Sequence, residues 1–210
     1  TQKQTVVNGF EVTFQLQITD MGREHSGWPK NGGDGLAFVV QNSSVSALGG
    51  YGQGLGYAPE NDPGIANSLA VAFDTFRNIY PPTEADSNHI SIQSMGVAEN
   101  SEDPLLALGY TNTLVSRIDD GFVHTVHITY VPGSMSVYYD DMNTSVLTTA
   151  VNLDTLLNLD NGQAWLGFTA ATGACYQNHD ILNWTFTPTP EPATMALFLL
   201  GAISMFRKDR

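Results

Sequence analysis

Six residues in one short stretch have side chains or backbone oxygens of the types that bind metal ions. They are Asp74, Phe76, Asn78, Glu84, Asp86 and His89. Ca²⁺ takes about six to eight oxygen ligands from carboxylates, amides, backbone carbonyls and water. If the loop folds back, Asp74 and Asn78 supply oxygens for one calcium ion, and the Phe76 carbonyl adds another. Either Glu84 or Asp86 extends this set, and His89 is a suitable ligand for a transition metal ion next to it.

Two carboxylates at alternate positions of one strand would instead suggest glycoside hydrolysis, because both would then face the same cleft. The strand predicted at residues 68–73 leads to only one carboxylate, Asp74. Glu84 and Asp86 do alternate, but they lie in a Pro-rich and Asn-rich loop, which is a poor platform for a fixed separation. No nucleophile elbow, phosphate-binding glycine loop or zinc-protease helix motif occurs. We therefore expect a binding protein and no enzyme.

The residues around this stretch alternate in hydrophobicity, as half-buried β-strands do. In residues 10–18, apolar residues occupy every second position, which puts them all on one face of a strand. Gly, Pro, Asn and Asp clusters separate the further candidates. Further strands are predicted at residues 36–41, 68–73, 90–94, 123–130, 135–139, 164–169 and 181–186. The pattern predicts an all-β fold in which two antiparallel sheets share one core.

The 210 residues suffice for one domain, and their composition excludes several classes of protein. Hydrophobic residues make up 42% and charged residues 14%, so the chain can bury a core and is not disordered. The formal net charge of −13 repels phosphate backbones and argues against a nucleic-acid partner. The single Cys175 excludes a disulfide framework.

The composition changes abruptly after residue 186. Residues 187–192 form a Pro-rich linker that contains Pro190, Glu191 and Pro192, and residues 193–210 are apolar with a basic end. This order resembles the PEP-CTERM sorting signal of Gram-negative bacteria. The resemblance implies export, processing by an exosortase-type protease, and transient membrane contact through a short C-terminal apolar helix. It also implies delivery to the cell surface or an extracellular matrix.

Four blocks of the sequence, in order, resemble the L-type or legume-lectin-like family. Residues 32–40 (GGDGLAFVV) resemble its aspartate loop, residues 49–57 its glycine loop, and residues 70–92 its metal-binding segment. The closing strands and the variable specificity loop correspond to residues 164–186. The resemblance implies that residues 1–186 form a concanavalin-like jelly roll, with a curved sheet, a flatter sheet and a small sheet that caps them. We expect the family's first strand to be missing from this sequence.

The resemblance also implies a role for individual residues in calcium-dependent carbohydrate binding. Asp34, preceded by a cis peptide bond, would accept hydrogen bonds from sugar hydroxyls. Asn78 would ligate calcium and donate its amide N–H to the sugar, and Phe76 would add an aromatic face. The remaining contacts would come from the glycine loop and from a specificity loop at residues 172–177. These residues are Gly50, Gly52, Gly54, Gly173 and Tyr176.

Two positions depart from the family pattern. A Glu that normally serves the transition-metal site is replaced by Ala72, and Glu84 stands where the family has Asp. His89 and shared carboxylates then make an incomplete shell for an ion such as Mn²⁺. The calcium ligands do not include Ala72. We therefore expect calcium rather than manganese as the cofactor.

The favoured hypothesis is an exported bacterial protein that binds glycans or exopolysaccharide, either alone or as a homo-oligomer. Two alternatives stay open. Ala72 and Glu84 are compatible with a structural matrix protein that has the lectin fold without sugar binding. A glycan-degrading enzyme on the same fold would need a second carboxylate in the cleft.

Overall fold

Strands dominate the computed structural model, which describes residues 2–24, 32–79 and 83–190. These residues also contain two short 3₁₀ helices, Gly52–Gly54 and Pro104–Leu106, and one helical turn, α1 (Leu153–Leu156). The strands are β1 (Gln4–Thr5), β2 (Phe10–Arg23), β3 (Gly35–Gln41), β4 (Ser68–Asp74), β5 (His89–Gln93), β6 (Gly109–Thr111), β7 (Val123–Val131), β8 (Ser134–Tyr139), β9 (Leu147–Thr149), β10 (Gln163–Ala171) and β11 (Cys175–Pro188).

The strands form two antiparallel sheets that pack face to face. One sheet has six strands in the order β1-β10-β3-β4-β5-β6, and the other has five in the order β11-β2-β7-β8-β9. β10 pairs with β3, and β11 pairs with β2, so each of the last two long strands joins one of the two sheets. The predicted all-β antiparallel sandwich is confirmed.

The core lies between the sheets and follows the alternation read from the sequence. On β2, Phe10, Val12, Phe14, Leu16 and Ile18 are all fully buried, whereas the residues between them are partly or fully exposed. Phe14 packs edge-on against Phe73 of β4 at a ring-centroid distance of 5.7 Å. Burial of such a side chain contributes about 2–3 kcal/mol. The apolar face of β2 therefore accounts for a large share of the cohesion between the sheets.

The outer face of the six-stranded sheet is also covered. Every residue of β3 and β4 is buried, because the segment at residues 42–67 lies over the alanines and valine that point away from the core. This second cluster comprises Ala37, Val39, Leu55, Tyr57, Ala58, Ile65, Ala70 and Ala72. The predicted small capping sheet is not formed among the described residues. Glycine-loop hydrogen bonds and isolated bridges such as Glu60–Asp62 take its place.

β11 is longer than predicted, since it begins at Cys175 rather than at residue 181. Its first residues, 175–177, belong to the loop that the family resemblance implies. They form a strand because they pair with β2, where Tyr176 lies opposite Gly22 and His179 opposite Ile18.

The predicted C-terminal apolar helix lies outside the described residues, as do Glu191 and Pro192 of the sorting motif. Pro190 is the last described residue and is exposed. Within the described ranges, no helix has the length and apolar character needed to cross a membrane.

Candidate functional site

The acidic residue at the end of β4 lies between two neighbouring strands of the six-stranded sheet. Asp74 pairs with Gly35 at the start of β3 on one side and with His89 at the start of β5 on the other. Neighbouring strands lie about 4.8 Å apart, and residues directly opposite share a face of the sheet. Sheet register therefore places Asp74 and His89 directly opposite each other at one end of the sheet.

A third ligand-type residue, Glu84, joins this pair from the loop between β4 and β5. One ligand atom from each of Asp74, Glu84 and His89 lies within 4.8 Å of the others, and all three residues are buried. His89 Nδ1 lies 3.6 Å from Asp86 Oδ1, beyond hydrogen-bond distance. Two buried carboxylates and an imidazole are ligands that fit a divalent metal ion.

Hydrogen bonds close the loop that carries Glu84. The Asp74 Oδ1 atom accepts from the Phe76 N–H at 2.9 Å, which turns the chain immediately after β4. The Glu84 carboxylate accepts from the Asn78 N–H at 2.6 Å, and the Glu84 N–H donates to the Asn78 carbonyl at 3.0 Å. Arg77 Nε donates to the Glu84 carbonyl at 3.1 Å. These bonds hold Arg77 and Asn78 against Glu84.

The amide of Asn78 faces Glu84. Its Nδ2 donates to the Glu84 carboxylate oxygens at 3.3 and 3.4 Å. The N–H predicted to reach a sugar is therefore engaged within the loop.

Asp86, the alternative to Glu84, is directed elsewhere. Its Oδ1 atom accepts from the Asn88 N–H and lies 3.6 Å from His89 Nδ1. Its Oδ2 atom accepts from the side chains of Tyr110 and Asn112. Asp86 therefore lies beside His89, while Glu84 converges with Asp74.

The protonation of these groups is strongly affected by burial. Burial and the charge of Glu84 raise the pKa of Asp74 well above its ordinary value, although the Phe76 N–H opposes this. Burial raises the pKa of Glu84 to about 7, although the hydrogen bonds from Asn78 lower it. Burial lowers the pKa of His89, against the effect of Asp86. A divalent cation would favour the ionised carboxylates and the neutral imidazole.

Asp34 lies next to this cluster and is held through its main chain. The Gly33–Asp34 peptide bond is cis. The Asp34 N–H donates to the Ala171 carbonyl at 3.0 Å, at the end of β10. The Asp34 carbonyl accepts from both the N–H of Thr75 at 2.9 Å and its hydroxyl at 3.1 Å. Both neighbouring strands of β3 thus fasten this residue.

The carboxylate of Asp34 is buried and only partly used. Its Oδ2 atom has no hydrogen-bond partner among the described residues. A Cβ at Gly173 would lie 3.3 Å from this oxygen and 3.5 Å from Gly52 Cα, so Gly173 is close to both residues. Burial and the charge of Glu60 raise the pKa of Asp34 to about 7, while the Gly173 N–H lowers it. Asp34 Oδ2 is therefore an acceptor without a donor, and it lies where the aspartate, glycine and specificity loops meet.

The glycine loop uses its own N–H groups. Gly50 donates to the Ala58 carbonyl at 2.8 Å, Gly52 to the Thr172 carbonyl at 3.2 Å, and Gly54 to Tyr51 at 3.1 Å. These bonds fasten the loop to itself and to the start of the specificity loop. All three N–H groups predicted to reach a sugar therefore donate to carbonyl oxygens of the protein instead.

The specificity loop is shorter than predicted, and the expectation that it extends to residue 177 is wrong. It comprises residues 172–174, because β11 begins at Cys175. Tyr176 therefore lies on a strand, and its ring packs against Gly22. Phe76, in contrast, packs against Gly33, where a Cβ would lie 3.2 Å from the Phe76 side chain.

Two residues that act on Asp34 were not identified from the sequence: Thr75, which holds its carbonyl, and Glu60, whose charge raises the pKa of its carboxyl. Thr75 directly follows Asp74, which was a usable signal. Glu60 lies far from residue 34 in the chain, and no sequence pattern connects the two.

Residues 1–197 match the legume lectin domain, and the chain belongs to that family. The family consists of carbohydrate-binding domains without enzymatic activity. Residues 188–210 match the PEP-CTERM protein-sorting motif, which indicates an exported protein sorted to the cell surface.

The similarity extends to individual proteins. The chain is 36% identical over 171 residues to the lectin-related protein of Cladrastis kentukea, covering 75% of this chain and 51% of that protein. It thus spans about half the length of this relative. The metal-free lectin I-B4 of Griffonia simplicifolia has the same fold, with a TM-score of 0.68, 20% identity, and coverage of 89% of this chain and 77% of that one. The VIP36 exoplasmic domain, bound to Ca²⁺ and Man3GlcNAc, has a TM-score of 0.61, 19% identity, and coverage of 90% and 73%.

Proposed function

We propose that the protein binds carbohydrate in a calcium-dependent manner at the junction of three loops. The unpaired Oδ2 atom of Asp34 carries this proposal, because it lies against Gly173, which is itself close to Gly52, and has no donor among the described residues. Sugar hydroxyls are donors that satisfy such a carboxylate, and a hydrogen bond to a charged group contributes about 1.5–3 kcal/mol. The half-buried Phe76 side chain beside Gly33 adds apolar contact.

The metal site adjoins this acceptor. Asp74 and Glu84 would hold a divalent ion, and the Asn78 amide and the Phe76 carbonyl would add oxygens of the kind that Ca²⁺ prefers. His89 lies with the same two carboxylates, so a transition ion such as Mn²⁺ is the competing occupant. A bound cation would supply fixed positive charge that holds residues 75–79 against Glu84. Through Thr75, that segment contacts the main chain of Asp34.

A glycan array tests this function. The 210-residue protein is applied in calcium and again with EDTA, and the expected result is binding that EDTA abolishes. Asp34→Ala and the isosteric Asp34→Asn are expected to lose binding in calcium, whereas Glu11→Gln, an exposed change on β2, is expected to bind normally. Unchanged binding by Asp34→Ala would show that the assigned pocket is wrong.

A structural matrix protein is the second candidate. The observation that favours it is the internal bonding of the Gly50, Gly52 and Gly54 N–H groups, which leaves these donors unavailable to a ligand. An array that stays blank in calcium, together with self-association of the folded protein, would support this candidate over the lectin.

We propose further that residues 1–186 are the functional domain, residues 187–192 a linker, and residues 193–210 the membrane-contacting part of the sorting signal. Pro190, Glu191 and Pro192 would be recognised by an exosortase-type protease of a Gram-negative host, which would release the domain to the surface or an exopolysaccharide matrix. Replacing these three residues with alanine is expected to leave unprocessed protein in the membrane fraction. Equal release of both forms into the medium would contradict the proposal.

A further inference from the structure

A chain of buried hydrogen bonds connects the edge strand β11 to the main chain of Asp34. Gln177 Nε2 lies 3.0 Å from His179 Nε2 and donates to Thr75 Oγ1 at 2.6 Å. The Thr75 hydroxyl in turn donates to the Asp34 carbonyl at 3.1 Å. Thr75 and Gln177 are both buried. The chain therefore crosses from the five-stranded sheet to the site-bearing end of the six-stranded sheet.

The donor and acceptor roles in this chain depend on one another. The Thr75 hydroxyl has a single hydrogen, and Gln177 Nε2 occupies its acceptor side. The hydrogen is therefore left for the Asp34 carbonyl. Gln177 itself is oriented by His179, whose Nε2 accepts in the neutral ring that carries its proton on Nδ1.

Packing restricts the other side of the Gln177 amide. Gln177 Oε1 lies against Gly32, where it and Met21 leave no room for a Cβ. Because Gly32 precedes the cis Gly33–Asp34 bond, Gln177 contacts the aspartate loop directly as well as through Thr75.

We propose that His179, Gln177 and Thr75 are positioning residues that fix the main chain of Asp34 and so direct its carboxylate toward the sugar. This proposal rests on the proposed function of Asp34 and deepens it. None of the three side chains touches the sugar. They act on affinity by limiting the conformations of the aspartate loop before the ligand arrives, which lowers the ordering cost of binding.

The expected effect is moderate, because the Thr75 N–H and the Ala171 carbonyl also hold Asp34. Loss of one neutral hydrogen bond corresponds to about a fivefold change in an equilibrium constant. Thr75→Val removes the hydroxyl and keeps the shape, whereas Thr75→Ser keeps the hydroxyl. Gln177→Met removes both hydrogen bonds of the amide and approximates its length.

Two measurements on the 210-residue protein test the proposal. Amide hydrogen exchange by NMR is expected to be about fivefold faster at Asp34 in Thr75→Val and Gln177→Met, with unchanged exchange at Phe14 in the core. Thr75→Ser is expected to restore the wild-type rate. Titration of the array's immobilised sugars in calcium is expected to give about fivefold weaker binding for the first two variants, with Ca²⁺ affinity measured by calorimetry changed by less than about twofold.

The outcomes separate this proposal from the proposed function. Unchanged exchange at Asp34 in both disrupting variants overturns the positioning chain, whether or not sugars bind. Faster exchange with unchanged sugar affinity overturns its role in binding. If Asp34→Ala itself leaves sugar binding intact, the proposed function fails independently of how these variants behave. Faster exchange and weaker binding, both rescued by Thr75→Ser, support the proposal.

Discussion

Oδ2 of Asp34 lies 3.3 Å from the position that a Cβ of Gly173 would occupy. No side chain fits between the specificity loop and this carboxylate without moving one of them. The same Cβ would lie 3.5 Å from Gly52 Cα. The absence of a side chain at Gly173 is therefore what allows the three loops to meet around one oxygen atom.

Gly173→Val is expected to weaken sugar binding by at least about tenfold, or ~1.4 kcal/mol, because its side chain would occupy the space in front of Asp34 Oδ2. Gly167→Ala is the matched control, since nothing lies within 4 Å of its Cβ position. Affinity on immobilised sugars and melting temperature are measured for both. Equal affinities would contradict the assigned junction.

Calcium is expected to stabilise the protein and Glu84→Gln to abolish this gain. At 100 times its Kd an ion that binds only the folded state adds about 2.7 kcal/mol, which raises Tm by about 5–10 °C for a domain of this size. Because burial raises the pKa of Glu84 to about 7, its ionised form destabilises the metal-free fold above that pH. Glu84→Gln is therefore expected to melt no lower than wild type in EDTA at pH 8.

The control for this prediction is Glu99→Gln, an exposed change outside the acidic cluster, which should respond to calcium as wild type does. Thermal melts in EDTA, calcium and manganese provide the measurement. A full calcium response in Glu84→Gln would exclude this residue as a ligand. A response to manganese alone would assign the cluster to a transition ion.

The protein is expected to lose stability as the pH falls, because the unfolded chain protonates His179 more readily than the folded chain does. Burial lowers the pKa of this residue to about 4, although Asp180 opposes the shift. Below the ordinary value of about 6.5 the unfolded chain binds the proton first, so stability is lost as pH falls and levels off near pH 4. Between pH 7 and pH 5 the loss is about 2 kcal/mol relative to His179→Gln, which does not titrate. Urea unfolding in EDTA measures it, and parallel pH curves for the two proteins would refute it.

His124 is expected to matter more for stability than His127 on the opposite face of β7. Nδ1 of His124 lies 2.8 Å from Asp140 Oδ2, and Nε2 lies 2.9 Å from Asp120 Oδ1. His124→Leu leaves both partly exposed carboxylates without this partner and should cost about 2 kcal/mol. His127→Leu breaks a hydrogen bond with Thr13 and should cost about 1 kcal/mol. Urea unfolding compares them, and equal losses would show that the two carboxylates do not depend on His124.

Sequence patterns predicted the strands that are rich in apolar residues, including β2, β3 and β4, and missed the polar beginning of β11. The alternation of β2 is visible because one face meets the core and the other does not. The family resemblance predicts a loop up to residue 177, but residues 175–177 already belong to β11. These residues form a strand because β2 offers them a complete row of backbone partners.

The candidate site was predicted in part. Its carboxylates follow a strand and precede His89 at short spacing, which suffices to propose a metal-binding loop. The choice between Glu84 and Asp86 depended on which side chain the closed loop directs toward Asp74, and the hydrogen bonds of Asn78 decide it.

The sequence by itself determined the all-β class, the acidic loop and the sorting tail. Each of these follows from a local property: the hydrophobic period, the types of ligand residue, and the change in composition near the C-terminus. Tertiary structure alone decided the hydrogen bonds that reach Asp34 through Thr75. Thr75 and Gln177 are 102 positions apart and meet because the end of β4 and the start of β11 lie at the same end of the sandwich, in opposite sheets. Contacts of this kind depend on sheet register, which no local pattern specifies.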